Sequence, residues 1–193
     1  MTARPLDAQS APAGDPAALE RLVTATLTDV WRFLAHLVDV QSADDLTQET
    51  YLRAWQSLSR FRGDSSLRTW LLAVARHVAA DELRLRRRRG AETLVPDAEQ
   101  PAGPAAGAPA ATRRREADVA EEVGVRDLIG RLDPDRREAF VLTQVIGLEY
   151  AEAALACGCP VGTIRSRVAR AREDLTRMLD AGSRPRRRVR ASA

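Results

Sequence analysis

Midway along the chain the apolar periodicity stops. From Gly90 to about Arg115 the composition collapses to Ala, Pro, Gly and a few charges, as between Pro101 and Pro109. Such a segment buries too little apolar surface to offset its ordering entropy. It predicts a flexible linker over 90–116 and splits the 193-residue chain into two small blocks, 15–89 and 117–182. Residues 1–14 are Ala/Pro/Gly-rich and read as a loose tail. Residues 183–193 carry five arginines and read as a basic disordered tail. No internal repeat is present.

Both blocks carry helical periodicity. Asp15-Pro16 offers a cap and a proline at the first helical position. Leu19, Leu22, Val23, Leu27, Val30, Trp31, Leu34, Leu37 and Val38 then recur with the 3.6-residue period. Ser42 predicts the start of a second helix, with Asp45 as its capping-box partner. Leu46, Tyr51, Leu52, Trp55 and Leu58 are its apolar members. Phe61 to Ser66 breaks the pattern and reads as a loop. A third helix begins near Ser66, carries Leu67, Trp70, Leu71, Val74 and Val78, and runs into the arginine run Arg86 to Arg89. In the second block a helix passes through Val123, Leu128, Ile129 and Leu132. Asp133-Pro134 starts another, with Ala139, Phe140, Leu142, Val145 and Ile146 inward and Gly147 as C-cap. A short helix over 149–156, a tight turn at Cys157 to Pro160, and a last helix with Ile164, Val168, Ala171 and Leu175 inward complete the block. No run alternates with period two. The expected fold is all-α: two small helical domains joined by a flexible linker, the second containing a helix-turn-helix.

Composition narrows the chemistry. Apolar residues make up 45% of the chain but aromatics only 4%, so the cores must be aliphatic and alanine-rich. No window approaches 18 consecutive apolar residues, so no membrane insertion is expected. Nor does the N-terminus read as a secretory signal. The two cysteines, Cys157 and Cys159, are too close for an ordinary disulfide and suggest a reduced, cytoplasmic protein. A C-x-C without a second pair makes a zinc site unlikely. Neither histidine has a ligand set nearby, and no phosphate-binding loop, nucleophile elbow or metalloprotease motif is present. Catalytic, cofactor and metal sites are therefore all expected to be absent.

The strongest local signal is the final helix pair. Thr163, Arg165, Ser166, Arg167 and Arg170 lie outward on its second member. The first turns of such a helix enter the major groove, where arginine donates two bonds to guanine. The competing reading is a surface helix with solvated arginines. Arg84 to Arg89 extend a helix that also carries Arg68, Arg76 and His77, which lays a positive stripe suited to phosphate. The loop Phe61 to Ser66 beside it either accepts an unstacked base or is an ordinary loop. All 30 basic residues are arginine, as a GC-rich genome would produce. The helix starting near Ser42 carries Asp44 and Asp45, whose charge suits a helix start. Its mixed face of Gln48, Glu49, Leu52 and Arg53 suits docking of a partner helix.

Three segments together resemble bacterial RNA polymerase sigma factors of the extracytoplasmic-function (ECF) type. They are SADDLTQETYLRAWQ over 42–56, FRGDSSLRTWLLAVARHVAADELRL over 61–85, and the stretch from Leu132 to Leu175 containing GTIRSRVARARED. The resemblance implies that the first block is a region 2, docking on the β′ coiled coil of core RNA polymerase through Asp45, Gln48, Glu49, Leu52 and Arg53. It implies that Arg62, Asp64, Ser65, Trp70, Arg76 and His77 act at the promoter −10 element. Family members often carry asparagine at the position of His77. The second block resembles region 4, with Thr163, Arg165, Ser166, Arg167 and Arg170 at the −35 element and an apolar face for the β flap. An anti-sigma factor is a further implied partner. The product is an alternative sigma factor that directs promoter recognition, and not an enzyme. The alternative is a free-standing helix-turn-helix regulator, which lacks a use for the docking face. A nucleic-acid-processing enzyme with a helix-turn-helix appendage lacks a catalytic constellation here. An Ala/Pro connector permits either a compact, self-occluded form or two independent domains.

Overall fold

The computed structural model describes residues 16–92 and 124–183. The expected N-terminal tail, most of the expected linker and nearly all of the basic C-terminal tail lie outside them. Every regular element among the described residues is helical.

The first block is three helices. Helix α1 (Pro16–Leu37) buries Leu22, Val30, Phe33, Leu34 and Leu37. Helix α2 spans Val40–Ser57, two residues earlier than the sequence reading placed it. Its cap is Asp39 and not Ser42: Asp39 is extended, and its carboxylate accepts from the Ser42 amide at 2.8 Å. Ser42 is thus the third helical residue, so its amide is one of the orphan donors and needs a cap. Asp44 and Asp45 fall beyond the first turn, away from the positive helix end. The inward face of α2 is Ala43, Thr47, Thr50 and Ala54. The threonine hydroxyls bond back to Ala43 and Leu46 carbonyls at 2.6 and 2.7 Å, which satisfies them without a partner. Leu52 and Trp55, two of its apolar members, are 59% and 47% exposed. A 3₁₀ turn, Leu58–Arg60, leads to the loop, and helix α3 spans Leu67–Glu92. Ser66 caps α3 by accepting from the Thr69 amide at 3.1 Å.

The second block holds four helices among the described residues. Helix α4 covers 124–130. Helix α5 (Pro134–Phe140) starts as expected, with Asp133 accepting from the Asp135 amide at 3.1 Å and Pro134 in the first turn. It then widens into a π turn, Val141–Val145, closed by the Ile146 amide on the Val141 carbonyl at 2.9 Å. Gly147, at φ 79, ends it in a conformation that a Cβ would disfavour. Helix α6 spans Tyr150–Cys157, and Glu152 accepts from the Glu149 amide at 3.0 Å. Gly158, left-handed at φ 63, turns the chain into helix α7 (Val161–Ser183). Ile164, Val168 and Ala171 are buried, giving the helix-turn-helix its core.

The two blocks pack together. Helix α3 lies on α6, and α1 meets the π turn and α5. One continuous apolar core runs from Val30, Phe33, Leu71 and Leu72 in the first block to Leu142, Leu148, Ala153 and Ile164 in the second. Burying each large aliphatic side chain stabilises by about 1.5–3 kcal/mol. Polar ties reinforce the seam. Arg68 donates to Asp29 and to the Ile146 carbonyl, both at 2.7 Å. Arg137 donates to the Leu37 carbonyl across the seam at 3.3 Å, and to the Gly130 and Leu132 carbonyls beside it. Of the two arrangements that the connector permits, this is the compact one.

Candidate nucleic-acid and polymerase interface

Helix α7 divides its arginines by helical angle. Gly162, Arg165, Ser166, Ala169 and Arg170 recur at three- and four-residue spacing and are all exposed. Arg167 points the other way. It pairs with Asp135 at the start of α5 and lies 4.0 Å from the Cys159 sulfur, with its side chain only 24% exposed. Thr163 is half-buried, and Ser166 donates back to its carbonyl at 2.9 Å. The five residues named from the sequence therefore do not share one face. Gly162 and Ala169 join the outer stripe, and sequence reasoning passed them over because neither carries a hydrogen-bonding side chain. The helix is held rigidly: Arg136 of α5 pairs with Asp174 at 2.5 Å, and Arg172 donates to Gln144 at 2.7 Å. The Arg136 guanidinium holds the Asp174 carboxyl below the ordinary carboxylate range.

The loop before α3 is open. Arg62 and Asp64 pair at 3.2 Å, both largely exposed. Gly63 between them is at φ 78, which favours glycine. Ser65 is half-buried. The Phe61 and Trp70 rings meet at 5.3 Å with planes tilted by 51°, an aromatic pair at the base of the loop. His77 is exposed on α3, its Nδ1 2.7 Å from the Ala73 carbonyl oxygen. Arg76 faces the seam and forms an ion pair with Glu138 of α5. Glu138 is buried, and burial pushes its carboxyl up, opposed chiefly by Arg76. No sequence signal marks Glu138, since its partner lies in the other block.

On α2 the outward stripe is Gln41, Asp44, Asp45, Gln48, Leu52 and Trp55. Asp45, Gln48 and Leu52 of the expected docking set stand on it. Glu49 and Arg53 turn toward α3, where Arg53 bonds Glu49 at 2.6 Å and Asp81 at 2.7 Å. In the arginine run, Arg86 is occupied by Asp39, by Glu82 at 2.6 Å and by the Ser42 hydroxyl at 2.5 Å. Arg84 pairs with Asp81 at 2.7 Å. Part of that run thus fastens α3 to the start of α2.

Cys157 is buried at the end of α6, and burial pushes its thiol up to about 12. Among the described residues, no group of three or more metal-ligating side chains lies together. Nor is any helix among them long and apolar enough to cross a membrane.

Family comparisons cover both blocks. The family model for sigma-70 region 2 matches residues 22–89, and the model for sigma-70 region 4 matches residues 117–175. A probable RNA polymerase sigma-C factor of Mycobacterium bovis is 52% identical over 168 residues, covering 87% of this chain and 86% of that protein. An RNA polymerase sigma-H factor of Pseudomonas aeruginosa is 35% identical, covering 86% and 88%. Among solved structures, CnrH in complex with the cytosolic domain of CnrY aligns with a TM-score of 0.66 at 28% identity, covering 91% of this chain and 96% of that one. The sigma factor RpoE in complex with the anti-sigma factor NepR from Bartonella quintana gives 0.64 at 27%, covering 83% and 96%. With a region 2, a region 4 whose helix-turn-helix carries an outward arginine stripe, and relatives matched nearly end to end, the chain belongs to the ECF sigma factors, which direct promoter recognition by RNA polymerase.

Proposed function

We propose that promoter engagement is divided between the blocks as follows. Arg165, Ser166 and Arg170 enter the major groove of the −35 element, with Thr163 and Arg167 turned away from it. Arg62, Asp64 and Ser65 hold an extruded base of the −10 element over the Phe61–Trp70 pair, and Arg76 and His77 follow the unpaired strand. Splaying a base costs a few kcal/mol, which stacking and phosphate contacts offset. Asp45, Gln48 and Leu52 make the primary contact with the β′ coiled coil, and Glu49 and Arg53 brace it through Asp81. The β flap meets the apolar face of region 4. The chain acts in the cytoplasm, supplies specificity and performs no chemistry of its own. An anti-sigma protein is its expected partner, by likeness to the CnrH and RpoE complexes.

The observation that carries this reading is the exposed stripe Arg165, Ser166, Arg170 on the helix following the Gly158 turn. A compact body of 193 residues has a radius of gyration of about 16 Å. Elements centred near positions −35 and −10 lie roughly 25 base pairs apart, on the order of 80 Å of duplex. The packed form cannot span both, so the seam between the blocks opens on the promoter, and Arg76 exchanges Glu138 for nucleic acid.

Run-off transcription with core RNA polymerase on a pool of promoter fragments tests the reading. Transcripts from a discrete set of fragments, lost with Arg170→Ala, are expected. Absence of transcripts, with duplex DNA shifted by the protein alone, would favour the free-standing regulator.

A further inference from the structure

Arginine is the side chain that reads guanine most often, and α7 offers three of them in its first three turns. Only two are available. Arg165 and Arg170 stand in the open, whereas Arg167 is turned under the helix and held by Asp135, a residue of another helix. The hold has three parts. Asp135 is in the first turn of α5, where the helix dipole favours a carboxylate and fixes its place. The Asp133 cap and Pro134 leave that turn little freedom. Cys159 closes the remaining side, its sulfur 4.0 Å from the guanidinium. With one nitrogen on Asp135, another toward Cys159 and its side chain only 24% exposed, Arg167 is directed away from the outer stripe that carries Arg165 and Arg170.

We infer that Asp135 is a positioning residue that sets −35 specificity by withholding Arg167 from DNA. The inference rests on the reading of α7 as the −35 recognition helix. The base-pair preferences of this sigma factor are then set by Arg165, Ser166 and Arg170, and Asp135 acts by subtraction. The Asp135 side chain is 61% exposed, so its removal frees Arg167 without opening the core.

The test uses the full chain with core RNA polymerase on a promoter library randomised across the −35 element. Transcripts are counted per base at each position, and binding is followed against salt. Arg167→Ala is expected to leave the normalised base profile unchanged, while Arg170→Ala flattens it at one position. Asp135→Ala is expected to add a guanine preference of roughly 5- to 150-fold at one base pair, or, if the freed arginine lands on phosphate, to steepen the logarithmic salt slope by about 0.9. Asp135→Asn, of the same size, is expected to do the same more weakly. The inference is overturned if Arg167→Ala flattens the profile as Arg170→Ala does, or if both Asp135 variants keep the wild-type profile and slope. A wild-type profile flat across the whole element would instead overturn the assignment of α7 itself.

Discussion

Arg76 and Glu138 face each other across the seam between the two sigma regions, one on α3 and one on α5, with side chains 32% and 9% exposed. Each is also placed where its own region has other work. Arg76 is on the helix proposed to follow the −10 strand. Glu138 lies one turn after Asp135, which holds Arg167. Two adjacent turns of α5 therefore hold one arginine from each helix proposed to face DNA.

Removing Glu138 isolates a partly buried charge. Glu138→Ala is expected to destabilise the packed form, toward the lower end of about 3–5 kcal/mol because Arg76 keeps some access to water. The check is paired: thermal unfolding, and small-angle scattering of the free protein. A lower melting temperature with a larger radius of gyration is expected. An unchanged radius would mean that the seam holds without the pair.

Glu138 and Asp39 contribute to the pH response with opposite sign. Burial raises the Glu138 carboxyl above its ordinary 4.5, and Arg76 only partly opposes this. The folded state therefore binds its proton more tightly, and this term loses stability as pH climbs above 4.5. Relative to Glu138→Gln, the wild type is expected to lose melting temperature between that point and neutrality. At Asp39, burial also pushes upward, but the Arg86 and Ser42 bonds outweigh it and hold the carboxyl below 3.8. Its contribution is complete above 3.8 and is lost as pH falls through the lower folded value. Asp39→Asn is expected to shrink the acid limb of the melting profile, leaving the part that Asp174 contributes.

Gly158 turns α6 into α7 with nothing near the position where a Cβ would stand. The cost of Gly158→Ala is therefore backbone strain alone, about 1–2 kcal/mol. Gly158→Asn is expected to cost less, since asparagine enters the left-handed region more readily. Chemical denaturation of the three proteins checks the order.

The exposed α2 stripe predicts a clean separation of folding from docking. Asp45→Arg with Leu52→Glu is expected to abolish co-elution with core polymerase while helicity and melting temperature stay within about 0.5 kcal/mol of wild type. Retained co-elution would move the docking surface elsewhere.

Much of this was legible in the residues, and the failures have physical causes. Helix periodicity and the Asp133-Pro134 start located most elements, because caps and apolar spacing are local. Leu52 and Trp55 were read only as apolar members of their helix, because a 3.6-residue period marks apolar positions without saying whether the core or a partner covers them. Ser42 and Asp39 are both good caps three residues apart, and only the backbone decides between them. The π turn has no composition signature in Val141–Val145. The seam was invisible because its partners, Arg68 with Ile146 and Arg76 with Glu138, are distant in sequence and belong to different blocks. Arg167 was grouped with the DNA-facing residues by its type, although its angle on the helix sends it to Asp135.

The shared core has a consequence for the connector. Because both blocks contribute side chains to one interior, their covalent connection enters the packing as an effective concentration of one block around the other. Closure entropy grows only with the logarithm of tether length, and each doubling costs about 0.6 kcal/mol. A connector twice as long would shift the packed population by less than about threefold. The packed form is thus nearly indifferent to insertions there, and sharply responsive to single side chains at the seam.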